Sequence, residues 1–135
     1  MPLRTMLLSF EGRMRRSHWW AIRVITTVVL CVLLFLAVGV LAAVFPAPGS
    51  KAASGVVLIV AGLPALAAYL WVYLATSVKR LHDQDLPGWI AVLFFVPYVG
   101  GLAAFVVLGC LEGTKGPNKF GPSEKFPEAI AETFS

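Results

Sequence analysis

Two stretches of the chain, Ala52 to Val78 and Leu86 to Leu111, contain no charged residue, and a dense polar run from Lys79 to Asp85 separates them. A third apolar stretch, 19–45, carries a single charge, Arg23. At about 1.5 Å of rise per residue, each is long enough to cross a hydrocarbon layer of roughly 30 Å. The pattern predicts an all-α integral membrane protein with three transmembrane helices, 19–45, 52–78 and 89–111. Before the first comes a short interfacial segment, 1–18; between the second and third lies a polar loop, 79–88; a polar tail, 112–135, follows. The polar loop is expected to sit in water at the membrane surface.

Local signals refine each element. Leu3, Met6, Leu7 and Phe10 recur at helical spacing, which suits either a helical turn or two in the headgroup region or a frayed end. Gly12 breaks that pattern, Arg13, Arg15 and Arg16 form a basic cluster, and Ser17 is the expected N-cap of the first span. Trp19 and Trp20 are expected in the interfacial belt, with Arg23 one turn inside and its guanidinium reaching back to the headgroups. The apolar run is too long for the core of a signal peptide. Pro46 to Lys51 reads as a short turn. In the second span, Pro64 has no N–H to donate and should bend the helix beside Gly62. Ala61, Ala65, Ala68 and Ala75 form a small-residue face, and Gly39 and Ala43 offer the same on the first span.

The third stretch is interrupted by Pro97-Tyr98-Val99-Gly100-Gly101. It reads either as one kinked crossing, the expectation here, or as a re-entrant hairpin, because each half alone is too short to cross.

Composition supports the membrane class: of 135 residues, 59% are hydrophobic and 13% charged, against about 25% charged in soluble domains. The formal net charge of +4 raises nucleic acid as a partner. However, the basic residues flank apolar spans, so cytoplasmic retention explains them without one. Arg4, Arg13, Arg15, Arg16 and Arg23 fall on the same side as Lys79 and Arg80, whereas the first turn carries only Lys51. That places the N-terminus in the cytoplasm and, after three crossings, the C-terminus outside. Lys115, Lys119 and Lys125 in the tail pull the other way.

Three motifs stand in order along the chain: Phe10-Glu-Gly-Arg-Met-Arg-Arg-Ser-His-Trp-Trp20, Arg80-Leu-His-Asp83 leading to Gly88-Trp89, and Gly113-Thr-Lys-Gly-Pro-Asn-Lys-Phe-Gly-Pro122. In order and spacing the chain resembles the domain of unknown function 805 family, small bacterial inner-membrane proteins. The resemblance implies that location and singles out Phe10, Gly12, Arg13, Arg16, Trp20, Arg80, His82, Asp83, Gly88, Trp89, Gly113, Gly116, Pro117, Asn118 and Gly121. Asp85 and Pro87 stand where Gly and Ser are frequent, and Ser123-Glu124 replaces a common Asp-Pro ending. No reaction comes with the resemblance.

The polar residues do not spell an active site. His18 and His82 are the two histidines in the chain, and a metal-dependent hydrolase needs more His and Asp ligands than His82, Asp83, Asp85 and Glu11 supply beside them. No nucleophile with its base, phosphate-cradling loop or nucleotide fingerprint appears. Cys31 and Cys110 lie at different depths of their spans, so they read as buried small residues and not as a disulfide. Asp83 is expected to pair with a nearby arginine and brace the loop, with Arg16 as its partner. The chain therefore reads as a non-enzymatic membrane module without cofactor or metal. It would oligomerise or bind another membrane protein through its small-residue faces and hold anionic lipid headgroups with its Arg and Trp collar. The alternative is a subunit of an oligomeric transporter or channel, since three spans are too few to enclose a pathway.

Overall fold

The computed structural model describes residues 3–45 and 51–123. The expected turn 46–50 and the end of the tail lie outside the described residues. Four α-helices follow one another: α1 (Leu3–Leu8), α2 (Arg16–Val44), α3 (Lys51–Asp83) and α4 (Val99–Ala104). A 3₁₀ segment, Gly88–Phe95, leads into α4 and a π-helical segment, Phe105–Cys110, continues it. No strand occurs among the described residues; Asn118 and Gly121 form an isolated antiparallel bridge. The chain is a helical membrane protein with two helices long and apolar enough to cross a bilayer, α2 and α3. The helix α3 runs unbroken past Gly62 and Pro64.

By contact the chain divides into two compact units, one of Met1–Ile22 with Val72–Ser135 and one of Arg23–Trp71. We call them the polar unit and the apolar unit. In the apolar unit the side chains of α2 and α3 point outward, and Leu41 is the one buried residue among those described. Its side chains lack the charges that would make such exposure comfortable in water, so lipid is the solvent that this surface suits. A hydrogen bond of 3.2 Å joins the hydroxyls of Thr27 and Tyr69.

The polar unit has a core of its own. Met6, Met14, Trp19, Leu81, Ala91, Phe94, Ala104 and Leu108 form it, with Trp20, Ile22, Leu74 and Leu86 packed around. Trp19 is thus a core residue. Ser17 is not the N-cap: α2 begins at Arg16, which puts Ser17 inside the first turn.

The run 79–88 departs most from expectation. Lys79 to Asp83 continue α3, leaving a turn of only four residues, 84–87, before the 3₁₀ segment. Nor is the run wet. Lys79 and Arg80 are 0% exposed and Asp83 is 6% exposed, because their side chains turn into the unit and find fixed partners there.

The apolar stretch 88–110 is not one continuous helix. Pro97 ends the 3₁₀ segment, since it cannot donate a hydrogen bond. Tyr98, at φ +66°, then reverses the chain. Gly100 seats on the Phe94 carbonyl, where any Cβ would clash. Both ends of the stretch return to the end of α3. At its start Gly88 lies against Val78 and His82; at its finish Arg80 donates to the carbonyls of Leu108 and Leu111. The stretch is therefore folded as a hairpin. In the same unit Tyr73 meets Phe95 edge-on at 5.5 Å, so the hairpin runs back alongside α3.

Candidate functional site

Three helical C-termini converge in the polar unit, and the geometry of the site follows from that. A helix leaves its last four carbonyls without intrahelical partners and carries about half a negative charge at that end. In a buried setting each such carbonyl needs a donor.

The first is the end of α3. Leu86 N–H bonds Leu81 C=O at 2.9 Å and Asp85 N–H bonds His82 C=O at 3.1 Å, the paired bonds of a Schellman cap. That cap needs a left-handed residue, and Asp85 supplies it at φ +60°. The motif following the hairpin completes the closure. Thr114 gives its N–H (2.8 Å) and its hydroxyl (3.1 Å) to Asp83 C=O, and Asn118 Nδ2 donates to His82 C=O at 2.8 Å. The segment before α2 docks as well, with Met14 N–H on Lys79 C=O at 3.2 Å.

The second is the hairpin's returning leg. Five successive carbonyls take side-chain donors: Val107 from Gln84, Leu108 from Arg80, Gly109 from Trp20 at 3.1 Å, Cys110 from Arg16 at 3.0 Å, and Leu111 from Arg80. Gly109 has to be glycine for Trp20 to reach it, because a Cβ there would stand 2.8 Å from the indole ring. The third is the end of α1, where Lys79 Nζ donates to the carbonyls of Thr5 and Met6.

At the centre sits the Asp83 carboxylate. Arg13 Nε holds Oδ1 at 3.0 Å and Arg80 holds Oδ2. Arg13, 1% exposed, spends its remaining donors on Thr114 C=O (2.7 Å), Thr114 Oγ1 (3.1 Å), Gly116 C=O (2.6 Å) and Gly121 C=O (3.3 Å). Gly116 at φ +78° and Gly121 at φ +121° shape the loop that aims those carbonyls. Gly113 lies so close to the Asp83 carboxylate that a Cβ would overlap it. Burial pushes the Arg80 guanidinium down from its ordinary value, Asp83 opposes this, and the nearby Arg16 and Arg13 add to it.

Beside this network, His82 stacks on Phe120 at 3.8 Å with the rings nearly parallel. Burial is the main cause lowering its pKa; a hydrogen bond with the Gly12 carbonyl opposes, and Lys119 adds to the lowering. Its Nδ1 is buried without a hydrogen-bond partner among the described residues. The surroundings of the imidazole thus disfavour its charged form.

Most of the residues singled out from the sequence thus come together: Gly12, Arg13, Arg16, Trp20, Arg80, His82, Asp83, Gly88, Gly113, Gly116, Asn118 and Gly121. Trp89 and Pro117 are exposed and Phe10 is half-buried, and none of these three enters the network of Asp83. The expected partner of Asp83 is corrected: Arg13 and Arg80 hold it, while Arg16, already turned away on α2, bonds Cys110 C=O. Asp85 pairs instead with Lys119 at 3.6 Å. The sequence reading missed the roles of Thr114, Gln84 and Gly109. Thr114 lies inside the third motif, which was the available signal; nothing marks Gly109 beyond its being a glycine in an apolar run. Cys31 and Cys110 are free and exposed, not buried.

The network borders a cavity of about 120 Å³ lined by Arg15, Arg16, Ser17, Arg80, Asp83, Glu112, Gly113, Thr114 and Ser123. It is at the N-terminus of α2, whose first turn has no acidic residue.

A family model described as "Protein of unknown function (DUF805)" matches residues 7–122. The chain is similar to the inner membrane protein YhaI of Escherichia coli (strain K12), 34% identical over 119 residues that cover 88% of each chain. It is also similar to the inner membrane protein YhaH of the same strain, 32% identical over 118 residues covering 87% of this chain and 88% of that one. No solved structure matches.

Proposed function

The chain belongs to the DUF805 family, with relatives in the inner membrane, and from that premise we propose that it is a non-enzymatic inner-membrane module whose polar unit holds an anionic lipid headgroup. The cavity beside Arg80 carries this reading. Its wall brings Arg16 close enough to Arg80 to disfavour the charge of Arg80. Asp83 offsets part of that repulsion, but its two oxygens are already taken by Arg13 and Arg80. A phosphate at this point would accept from guanidinium groups and from the positive end of α2. The cavity has the room of about four waters, which accommodates a phosphate.

The polar unit faces the cytoplasm in this reading, because Arg and Lys gather there, whereas the expected turn between the first two spans carries only Lys51. Catalysis is no part of it. The ionisable side chains at the centre, Arg13, Arg80 and Asp83, are each committed to holding backbone or one another. The apolar unit supplies the second surface. There Ala61, Gly62 and Ala65 line, with Leu33, Ala37 and Leu41, a groove of about 440 Å³, and close helix approach in lipid favours such small residues. A second copy is the simplest occupant.

Native mass spectrometry of the protein from mild detergent tests both surfaces. The expected result is a retained anionic phospholipid that Arg16→Gln largely loses, on an oligomer that persists in the variant. A bare monomer with nothing bound contradicts the reading.

A further inference from the structure

We infer that the hairpin 88–110 enters one leaflet only, resting on that leaflet's acyl chains, so that both ends of the protein lie on the same side of the membrane. The length of its legs is the first reason. Eight residues of 3₁₀ helix rise about 16 Å, at roughly 2.0 Å each. On the other leg, the six α-helical residues Val99–Ala104 rise about 9 Å at roughly 1.5 Å each, and the six π-helical residues Phe105–Cys110, wound more widely, add somewhat less. The two legs match, and each equals about half of a 30 Å hydrocarbon layer.

The distribution of polar groups is the second reason. Side-chain donors meet the hairpin at its open end, where Arg16, Trp20, Arg80 and Gln84 close the returning leg. From there to the tip it presents only apolar side chains and Tyr98. Val92, Val96, Val99 and Leu102 stand outward, and Tyr98 at the tip is fully exposed. A hairpin lying in water would expose this surface at a large cost. A hairpin crossing the bilayer would have to pull its closing carbonyls away from Arg80 and Trp20 and leave them unsatisfied in hydrocarbon.

The direction of the hairpin is the third. Tyr73 lies ten residues before Asp83 on α3, about 15 Å deeper along the helix axis, and it is there that Phe95 meets it. The hairpin therefore runs back along the part of α3 that leads into the apolar stretch 52–78. Its tip lies near mid-bilayer. The segment Gly113–Ser123 returns to the side from which the hairpin set out, and this is how its carbonyls reach Arg13. An external C-terminus, as expected from three crossings, does not fit this arrangement.

The inference does not depend on which side the polar unit faces or on any bound lipid, so it stands or falls separately from the headgroup reading. Two measurements on the full chain test it. A reporter that works only in the cytoplasm, fused in separate proteins before Met1 and after Ser135, is expected to give the same outcome at both ends. Opposite outcomes would overturn the inference. In a variant with Cys31→Ser and Cys110→Ser, Tyr98→Cys places one thiol at the tip. A membrane-impermeant maleimide is expected to leave it unlabelled in both intact spheroplasts and inverted vesicles. Labelling from the side opposite the termini would show a crossing, and labelling from the same side would show a hairpin outside the bilayer or covered by a partner; either overturns the proposal.

Discussion

The polar and apolar units are built from the same two long helices, yet they are held by different means. In the apolar unit the side chains of α2 and α3 face outward almost throughout, and the surrounding solvent determines the structure. In the polar unit, helix ends meet, and directional bonds from Arg13, Arg16, Trp20, Lys79, Arg80, Gln84, Thr114 and Asn118 fix their positions. The comparison teaches that charge in this protein is a construction material. Its buried cations do not seek water; they neutralise three helix C-termini, each a partial negative charge, and one carboxylate.

Glycines give the sharpest way to break the comparison. A Cβ on Gly113 would overlap the Asp83 carboxylate, whereas one on Gly39 meets nothing within 4 Å. Gly113→Ala is expected to cost about 3 kcal/mol or more, since it must push a buried ion pair apart. Gly39→Ala should instead be neutral or gain up to about 1 kcal/mol from helix propensity. Thermal unfolding in detergent, compared between the two variants, checks this. Equal losses would mean that the polar unit is not tightly packed around Asp83.

A pH titration sharpens it next. The folded His82 binds its proton less readily than the unfolded one, mainly through burial. The unfolded state therefore takes up the extra proton first, and the contribution of His82 is present above its ordinary value of 6.5 and lost as pH falls below it. Stability of the wild type should decline through this window, and His82→Gln should flatten that part of the curve. Measuring Tm against pH for both proteins decides; an unchanged slope in the variant would remove His82 from the account.

The smallest effect concerns the cap of α3. Asp85 holds a left-handed conformation that glycine adopts without penalty. Its pair with Lys119 is exposed and worth little. Asp85→Gly is expected to raise stability by up to about 1 kcal/mol, seen as a modest rise in Tm. A clear fall would show that the pair with Lys119 outweighs the backbone strain.

These contrasts also mark what was legible in the sequence. The two long spans were, because lipid selects helices by length and apolarity, which a linear reading captures. The hairpin was only half legible. The apolar run from Trp89 to Leu111 looks the same whether it crosses or returns, and the decision rests on Pro97, the reversed backbone of Tyr98 and distant donors on α2 and α3. The importance of Arg13, Arg80, Asp83 and Gly113 was legible through the family resemblance, and so was the pairing of Asp83 with an arginine. The choice of Arg13 over Arg16 was not, since it depends on where α2 begins. The burial of Lys79 and Arg80 was the hardest to foresee, because a cluster of charges between apolar spans ordinarily signals water. The frequent Gly at position 85 gains a physical meaning only once φ is known.

The central claim is that Asp83 is the shared anchor of Arg13 and Arg80, with Arg16 serving a different helix end. A double-mutant cycle measures this most directly: Arg13→Ala and Asp83→Ala, singly and together, beside Arg16→Ala and Asp83→Ala. Unfolding free energies should show a coupling of about 1.5 kcal/mol or more for Arg13 with Asp83, and additivity within about 0.5 kcal/mol for Arg16 with Asp83. Strong coupling for Arg16 and none for Arg13 would contradict the account.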